Sequence, residues 1–130
     1  MKIIALLAVL AMPATAQDYT SFQAPSGNIH CWIDGYGARC DILEATSSFT
    51  RRPADCDLDF GSAFFIDPQG RKGAVGCVGD TVAQPNNPVL GYGSRMEFHN
   101  ITCTSERTGV TCTNPAGHGF TLARARQTVF

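Results

Sequence analysis

The sequence predicts an all-β domain, a small disulfide-stapled antiparallel β-sandwich or barrel, and three observations carry that prediction. Short apolar stretches alternate with turn residues, thirteen glycines and seven prolines among them, and no long helical period interrupts the pattern. Six cysteines all lie beyond an apparent export leader. One spacing occurs twice, Asn28-Ile29-x-Cys31 through Gly37 to Cys40 and Asn100-Ile101-x-Cys103 through Gly109 to Cys112. In each copy the glycine belongs to a polar turn that brings the two sulfurs opposite each other, so two stapled hairpins bracket the chain.

The leader is Met1–Ala16: Lys2, an apolar run from Ile3 to Met12, Pro13, and the small-x-small site Ala14-Thr15-Ala16. That pattern is a secretory signal peptide, and cleavage after Ala16 leaves residues 17–130 as a single exported β domain. The run is too short to anchor in a bilayer, and no second run of membrane length follows, so no membrane span is expected. The formal net charge is −1, and loss of Lys2 makes it one unit more negative. Neither nucleic acid nor an anionic membrane surface has an electrostatic footprint here. The expected location is a bacterial periplasm or the exterior.

Along the exported part, Gln17–Gln23 predicts an edge strand with Tyr19 and Phe22, and Ala24-Pro25-Ser26-Gly27-Asn28 a turn. The first stapled hairpin follows, with Asp34-Gly35-Tyr36-Gly37 at its tip and a return strand over Ala38–Leu43. Glu44–Asp55 is polar, contains Pro53 and reads as a loop with at most one helical turn. Leu58–Ile66 is the most apolar segment after the leader and predicts a buried strand ending in an Asp67-Pro68-Gln69-Gly70 turn. Ala74–Val78 returns beside it. After the Gln84–Pro88 loop, Val89–Gly93 leads into one longer strand, Ser94–Thr104. Met96 and Phe98 share one parity there and Ile101 and Cys103 the other, which predicts a bulge near His99-Asn100. Gly119–Phe130 reads as a last strand with Phe120 and Leu122 inward.

Cysteine count alone leaves fifteen connectivities open. The repeated hairpin spacing favours the sequential set, Cys31–Cys40, Cys56–Cys77 and Cys103–Cys112. Zinc is disfavoured, because no cysteine pair has the Cys-x-x-Cys spacing of a zinc knuckle and export favours oxidation; no cofactor or metal is expected.

Several of these pieces together resemble a family of small exported bacterial proteins of unknown function. They are Phe22-x-x-Pro25-Ser26-Gly27-Asn28-Ile29-x-Cys31, Arg39-Cys40-Asp41-Ile42, Asp59-Phe60-Gly61, Cys77-x-Gly79-Asp80-Thr81 and Leu90-x-Tyr92-Gly93. Gly109-Val110-Thr111-Cys112-Thr113-Asn114 and Gly117-His118-Gly119-Phe120 complete the set. The resemblance implies export and a single domain, and it implies no activity, ligand or site. His30 departs from it, since a small residue is expected before Cys31.

Chemistry-bearing residues are few. His118 stands between two glycines, which allow close approach of a ligand, and Phe120 follows it; an exposed histidine in a tight connection is the plainer reading. His30 and His99 flank the repeated Asn-Ile pairs and would converge if the hairpins pack together. Asp55, Asp57 and Asp59 alternate, but Phe60 and Ile66 stand where a calcium loop needs glycine and glutamate. Gly-x-Ser-x-Gly and His-Glu-x-x-His are absent, so no hydrolytic motif is present and the chain is not expected to be an enzyme. Trp32, Tyr36 and Tyr92 sit in turn-rich stretches and offer aromatic contact area. The function expected from the sequence is therefore a non-enzymatic exported binding domain that uses Trp32, Tyr36, Tyr92, His118 and Phe120. Its partner would be a cell-envelope or extracellular protein or glycan. An inhibitor of an exported or host hydrolase is the alternative, and a small hydrolase acting through His118 a weaker one.

Overall fold

Ten antiparallel strands form two five-stranded sheets in this computed structural model, which describes residues 3–8, 10 and 18–130. The leader's cleavage site, at 14–16, lies outside the described residues, and Ile3, Ile4, Leu6, Leu7 and Leu10 belong to exposed irregular chain. The first sheet runs β1 (Tyr19–Gln23), β2 (Ile29–Asp34), β3 (Gly37–Ile42), β4 (Asp59–Ile66) and β5 (Ala74–Val78), in chain order. The second runs β6 (Arg95–Phe98), β7 (Ile101–Glu106), β8 (Gly109–Thr113), β9 (Gly119–Leu122) and β10 (Gln127–Val129), also in chain order. Two separate meanders packed on one core make a sandwich, which decides between the two architectures left open by the sequence.

Period-two alternation explains the core. Ile29, Cys31 and Ile33 point inward from β2, Ala38, Cys40 and Ile42 from β3, and Phe64 and Ile66 from β4; all are buried. Ile101 and Cys103, Val110 and Cys112, and Phe120 and Leu122 do the same from the second sheet. The predicted pairing is the observed one, with bridges Cys31–Cys40, Cys56–Cys77 and Cys103–Cys112.

The repeated spacing extends to the whole sheet. Cys31 pairs with Cys40 and Asp34 with Gly37, just as Cys103 pairs with Cys112 and Glu106 with Gly109. Phe64 lies beside Cys40 and Phe120 beside Cys112, so these phenylalanines are also counterparts. Counterparts then touch each other across the core: the sulfurs of Cys40 and Cys112 are 3.6 Å apart and the rings of Phe64 and Phe120 have centroids 6.1 Å apart. Such self-matching contacts are what a two-fold relation between the sheets produces. Even the glycine requirement repeats, since Gly37 (φ 128°) and Gly109 (φ 138°) lie where a Cβ would strike the carbonyl oxygens of the counterparts Ile66 and Leu122.

Two expectations need correction. Ser94–Thr104 is not one bulged strand: His99 (φ 47°) and Asn100 (φ 66°) form a two-residue turn between β6 and β7, with Phe98 opposite Ile101. The parity change came from chain reversal, and it was hidden because asparagine, without a glycine, supplies the left-handed conformation. Gly119–Phe130 likewise divides into β9 and β10, reversed where Ala123 N–H donates to Arg126 O at 2.9 Å. Glu44–Asp55 contains no helix; Phe49 from this loop packs edge-on to Phe64.

Candidate functional site

What the same scaffold needs at its solvent face can be read by comparing the two sheets. Across the outer face of the second sheet, Arg95, Thr104, Thr111, Thr121 and Thr128 stand in register. Threonine there is the ordinary solution for a solvated strand position, β-branched and able to pair sideways, as Thr111 and Thr121 do at 2.9 Å. The matching row of the first sheet is Ser21, Trp32, Arg39, Phe65 and Ala74. Trp32, Arg39 and Phe65 thus stand where the second sheet has three threonines.

Those three side chains border a cleft of about 420 Å³ with Asp34, Tyr36 and Asp67. Tyr19, from the edge strand, stacks on the Trp32 indole at 4.0 Å with the planes 5° apart, and Trp32 Nε1–H donates to Asp34 Oδ2 at 3.2 Å. Asp34 Oδ1 accepts the Tyr36 N–H at 2.8 Å, which shapes the hairpin tip, and Tyr36 is 88% exposed. Arg39 lies with its guanidinium 5.5 Å from the Phe65 ring centre. Its Nε and Nη2 donate to both oxygens of buried Asp41, and Nη1 and Nη2 donate to Asp80. Burial lowers the Arg39 pKa, but these hydrogen bonds and charges outweigh it and the net shift is upward; the same bonds hold the Asp80 carboxyl below its ordinary value.

One end of this face is closed by the 79–88 loop. Asp41 Oδ2 accepts from Thr81 Oγ1 and from Val82 N–H. Gln23 Nε2 donates to Pro85 O and Asn87 O, while Asn87 Nδ2 donates to Val82 O and to His30 Nδ1 at 3.0 Å. With Nδ1 accepting, the His30 proton sits on Nε2 and is given to Gly27 O at 3.0 Å, so His30 is a fully bonded part of this clamp.

The sequence-predicted residues separate. Trp32 and Tyr36 meet at the cleft. Tyr92 is elsewhere, 5.2 Å from the Arg107 guanidinium beside a depression of about 200 Å³ that Thr108, Gly109 and Arg124 also border. His118 lies in a turn organised by Asn114, whose Oδ1 accepts from the N–H groups of Ala116 and His118 and whose Nδ2 donates to Asp67 O and Gly70 O. Phe120 has no exposed surface and belongs to the core, where no ligand reaches it. His30 and His99 have different surroundings: His30 bonds Gly27 and Asn87, whereas His99 packs edge-on to Phe98 and borders a concavity with Tyr19, Trp32 and Tyr36. Asp55, Asp57 and Asp59 are all exposed. Among the described residues the one metal-sized grouping is Cys31, Cys40 and Cys112, and disulfides consume those sulfurs. Among them too, no helix is long and apolar enough to cross a membrane.

Tyr19, Asp34, Arg39, Phe65 and Asp67 were not among the contact residues expected from the sequence. A signal existed: Phe64 and Phe65 are adjacent in a strand, so one of them had to face outward.

No curated protein and no solved structure matches the chain. A family model, described as a family of unknown function (DUF6636), matches residues 2–130, and the chain belongs to that family.

Proposed function

We propose that this protein is an exported, non-enzymatic binding domain whose contact surface is the aromatic cleft on the outer face of the first sheet. One observation carries the reading. At the positions where the second sheet has Thr104, Thr111 and Thr121, the first has Trp32, Arg39 and Phe65, beside an almost fully exposed Tyr36. Trp32 and Phe65 are half-buried, under Tyr19 and over Gly76, while Tyr36 stands free; at an interface such aromatic groups supply most of the contact energy. The partner is an extracellular or cell-envelope protein or glycan. Three disulfides support an oxidising location, and the apolar leader supports a bacterial periplasm or the exterior.

The test is a binding titration of disulfide-intact protein against purified envelope glycans and extracellular peptides, repeated with Tyr36→Thr, the residue found at the counterpart Thr108. Saturable binding that Tyr36→Thr weakens at least about tenfold supports the cleft. Binding that ignores the substitution would place the contact surface elsewhere.

A further inference from the structure

The charges around the cleft narrow its ligand further, on the reading that the cleft is the contact surface. Arg39 is the cation of its lining, and that charge is already balanced by Asp41 and Asp80. Asp34 and Asp67 have no salt-bridge partner among the described residues. Asp34 is held in place by one donor on each oxygen, from Trp32 and from Tyr36, and each oxygen keeps acceptor capacity for a ligand. An anion entering here would meet carboxylates and no available cation. A cation would meet two unpaired carboxylates and the faces of aromatic rings, which attract positive charge through their quadrupoles.

The cleft is also not isolated. A second concavity of about 320 Å³ shares Trp32, Asp34 and Tyr36 with it and adds Asp18, Tyr19 and His99. A third, of about 550 Å³, shares Tyr36 and Asp67 and continues past Pro68 to Gly70. Tyr36 stands where all three meet. The result is an elongated path on which carboxylates recur, at Asp18, Asp34 and Asp67, with Tyr19, Trp32 and Tyr36 between them. A path of that kind suits an extended chain carrying repeated positive charge better than it suits a single small amine.

From this juxtaposition we infer that the cleft takes an extended basic peptide segment, with an arginine or lysine side chain lying against Trp32 or Tyr36 and its charged end between Asp34 and Asp67. The second sheet lacks the combination: Glu106 stands opposite Gly109 as Asp34 does opposite Gly37, but the depression it shares with Tyr92 is bordered by Arg107 and Arg124, which already supply positive charge there.

Isothermal titration of the disulfide-intact protein with three probes tests the inference: an arginine-rich peptide, a glutamate-rich peptide of equal length, and a neutral oligosaccharide. The protein is used as wild type, Asp67→Asn and Tyr36→Thr, the latter two chosen because both side chains can be changed without opening the core. The arginine-rich peptide is expected to bind saturably and to weaken with salt, and Asp67→Asn to weaken it at least about fivefold. The glutamate-rich peptide is expected not to bind. If the oligosaccharide binds instead, in a way that Tyr36→Thr abolishes, the basic ligand is wrong while the cleft stands. Basic-peptide binding unchanged by either substitution is diffuse attraction to an acidic protein and overturns the inference. If no probe is affected by Tyr36→Thr, both the ligand class and the cleft are overturned.

Discussion

Removing the disulfides one at a time separates chain entropy from packing. Cys56 and Cys77 are 21 residues apart, whereas Cys31–Cys40 and Cys103–Cys112 each span 9. Loop-closure entropy alone assigns about 3.3 kcal/mol to the longer loop and about 2.6 kcal/mol to each shorter one. Burial reverses that order. All four cysteines of the short bridges have no exposed surface, and the two bridges touch through Cys40 and Cys112, while Cys77 is exposed. Replacing a fully buried pair by alanines removes two core atoms, worth about 1.6 kcal/mol by transfer, with a cavity cost added. The Cys103→Ala/Cys112→Ala protein should therefore lose about 4–5 kcal/mol, and Cys56→Ala/Cys77→Ala, in which Cys56 is the one buried sulfur, about 3.5–4 kcal/mol. Urea denaturation with free thiols blocked measures both. A larger loss for the 56–77 pair would refute the claim that the paired bridges serve as core packing as well as covalent constraint.

Further outcomes follow from single groups. Ser105 Oγ is buried without a hydrogen-bond partner among the described residues, at a position whose counterpart is Ile33, so Ser105→Ala should stabilise by about 1 kcal/mol in the same denaturation assay. Asn114→Ala removes four hydrogen bonds that join the 114–118 turn to the 67–70 turn and should cost about 2–4 kcal/mol, whereas His118→Ala should stay within about 0.5 kcal/mol. The reverse order would give the His118 side chain a structural role in its turn. Asp80 is held below its ordinary carboxylate value by the Arg39 hydrogen bonds and charge. A depressed folded value means that its contribution to stability is present above the unfolded value and is lost as pH falls through the folded one. NMR titration should place the Asp80 midpoint below that of an unfolded aspartate, and a midpoint at or above it would remove the Arg39–Asp80 ion pair from the contacts between the 79–88 loop and β3.

Much of the fold was legible because it is carried by local and periodic signals. Cysteine spacing gave both hairpins and, with one pair left over, all three bridges; Ala74–Val78 and the Asp67–Gly70 turn follow from apolar runs and a Pro/Gly turn. His99-Asn100 was misread because nothing in two polar residues distinguishes a left-handed turn from a bulge until the strands pair. The site was less legible. Trp32 and Tyr36 were visible as aromatics near a turn, but their meeting with Phe65 and Asp67 depends on β3 pairing with β4, a contact across a long loop. Phe120 reads in two ways from the sequence, inward by strand parity and as a contact residue beside the Gly117–Gly119 stretch, and the buried ring agrees with the first. That the first sheet's outer row departs from threonine became meaningful only once the two sheets could be overlaid residue by residue.

The measurement that bears most directly on the cleft is amide chemical-shift mapping of the disulfide-intact protein during titration with the arginine-rich peptide and with the neutral oligosaccharide. The account predicts perturbations centred on Trp32, Asp34, Tyr36 and the Phe65–Gln69 segment, with the Thr104, Thr111 and Thr121 face silent. Perturbations centred on that threonine face, or on Tyr92 and Arg107, would contradict it.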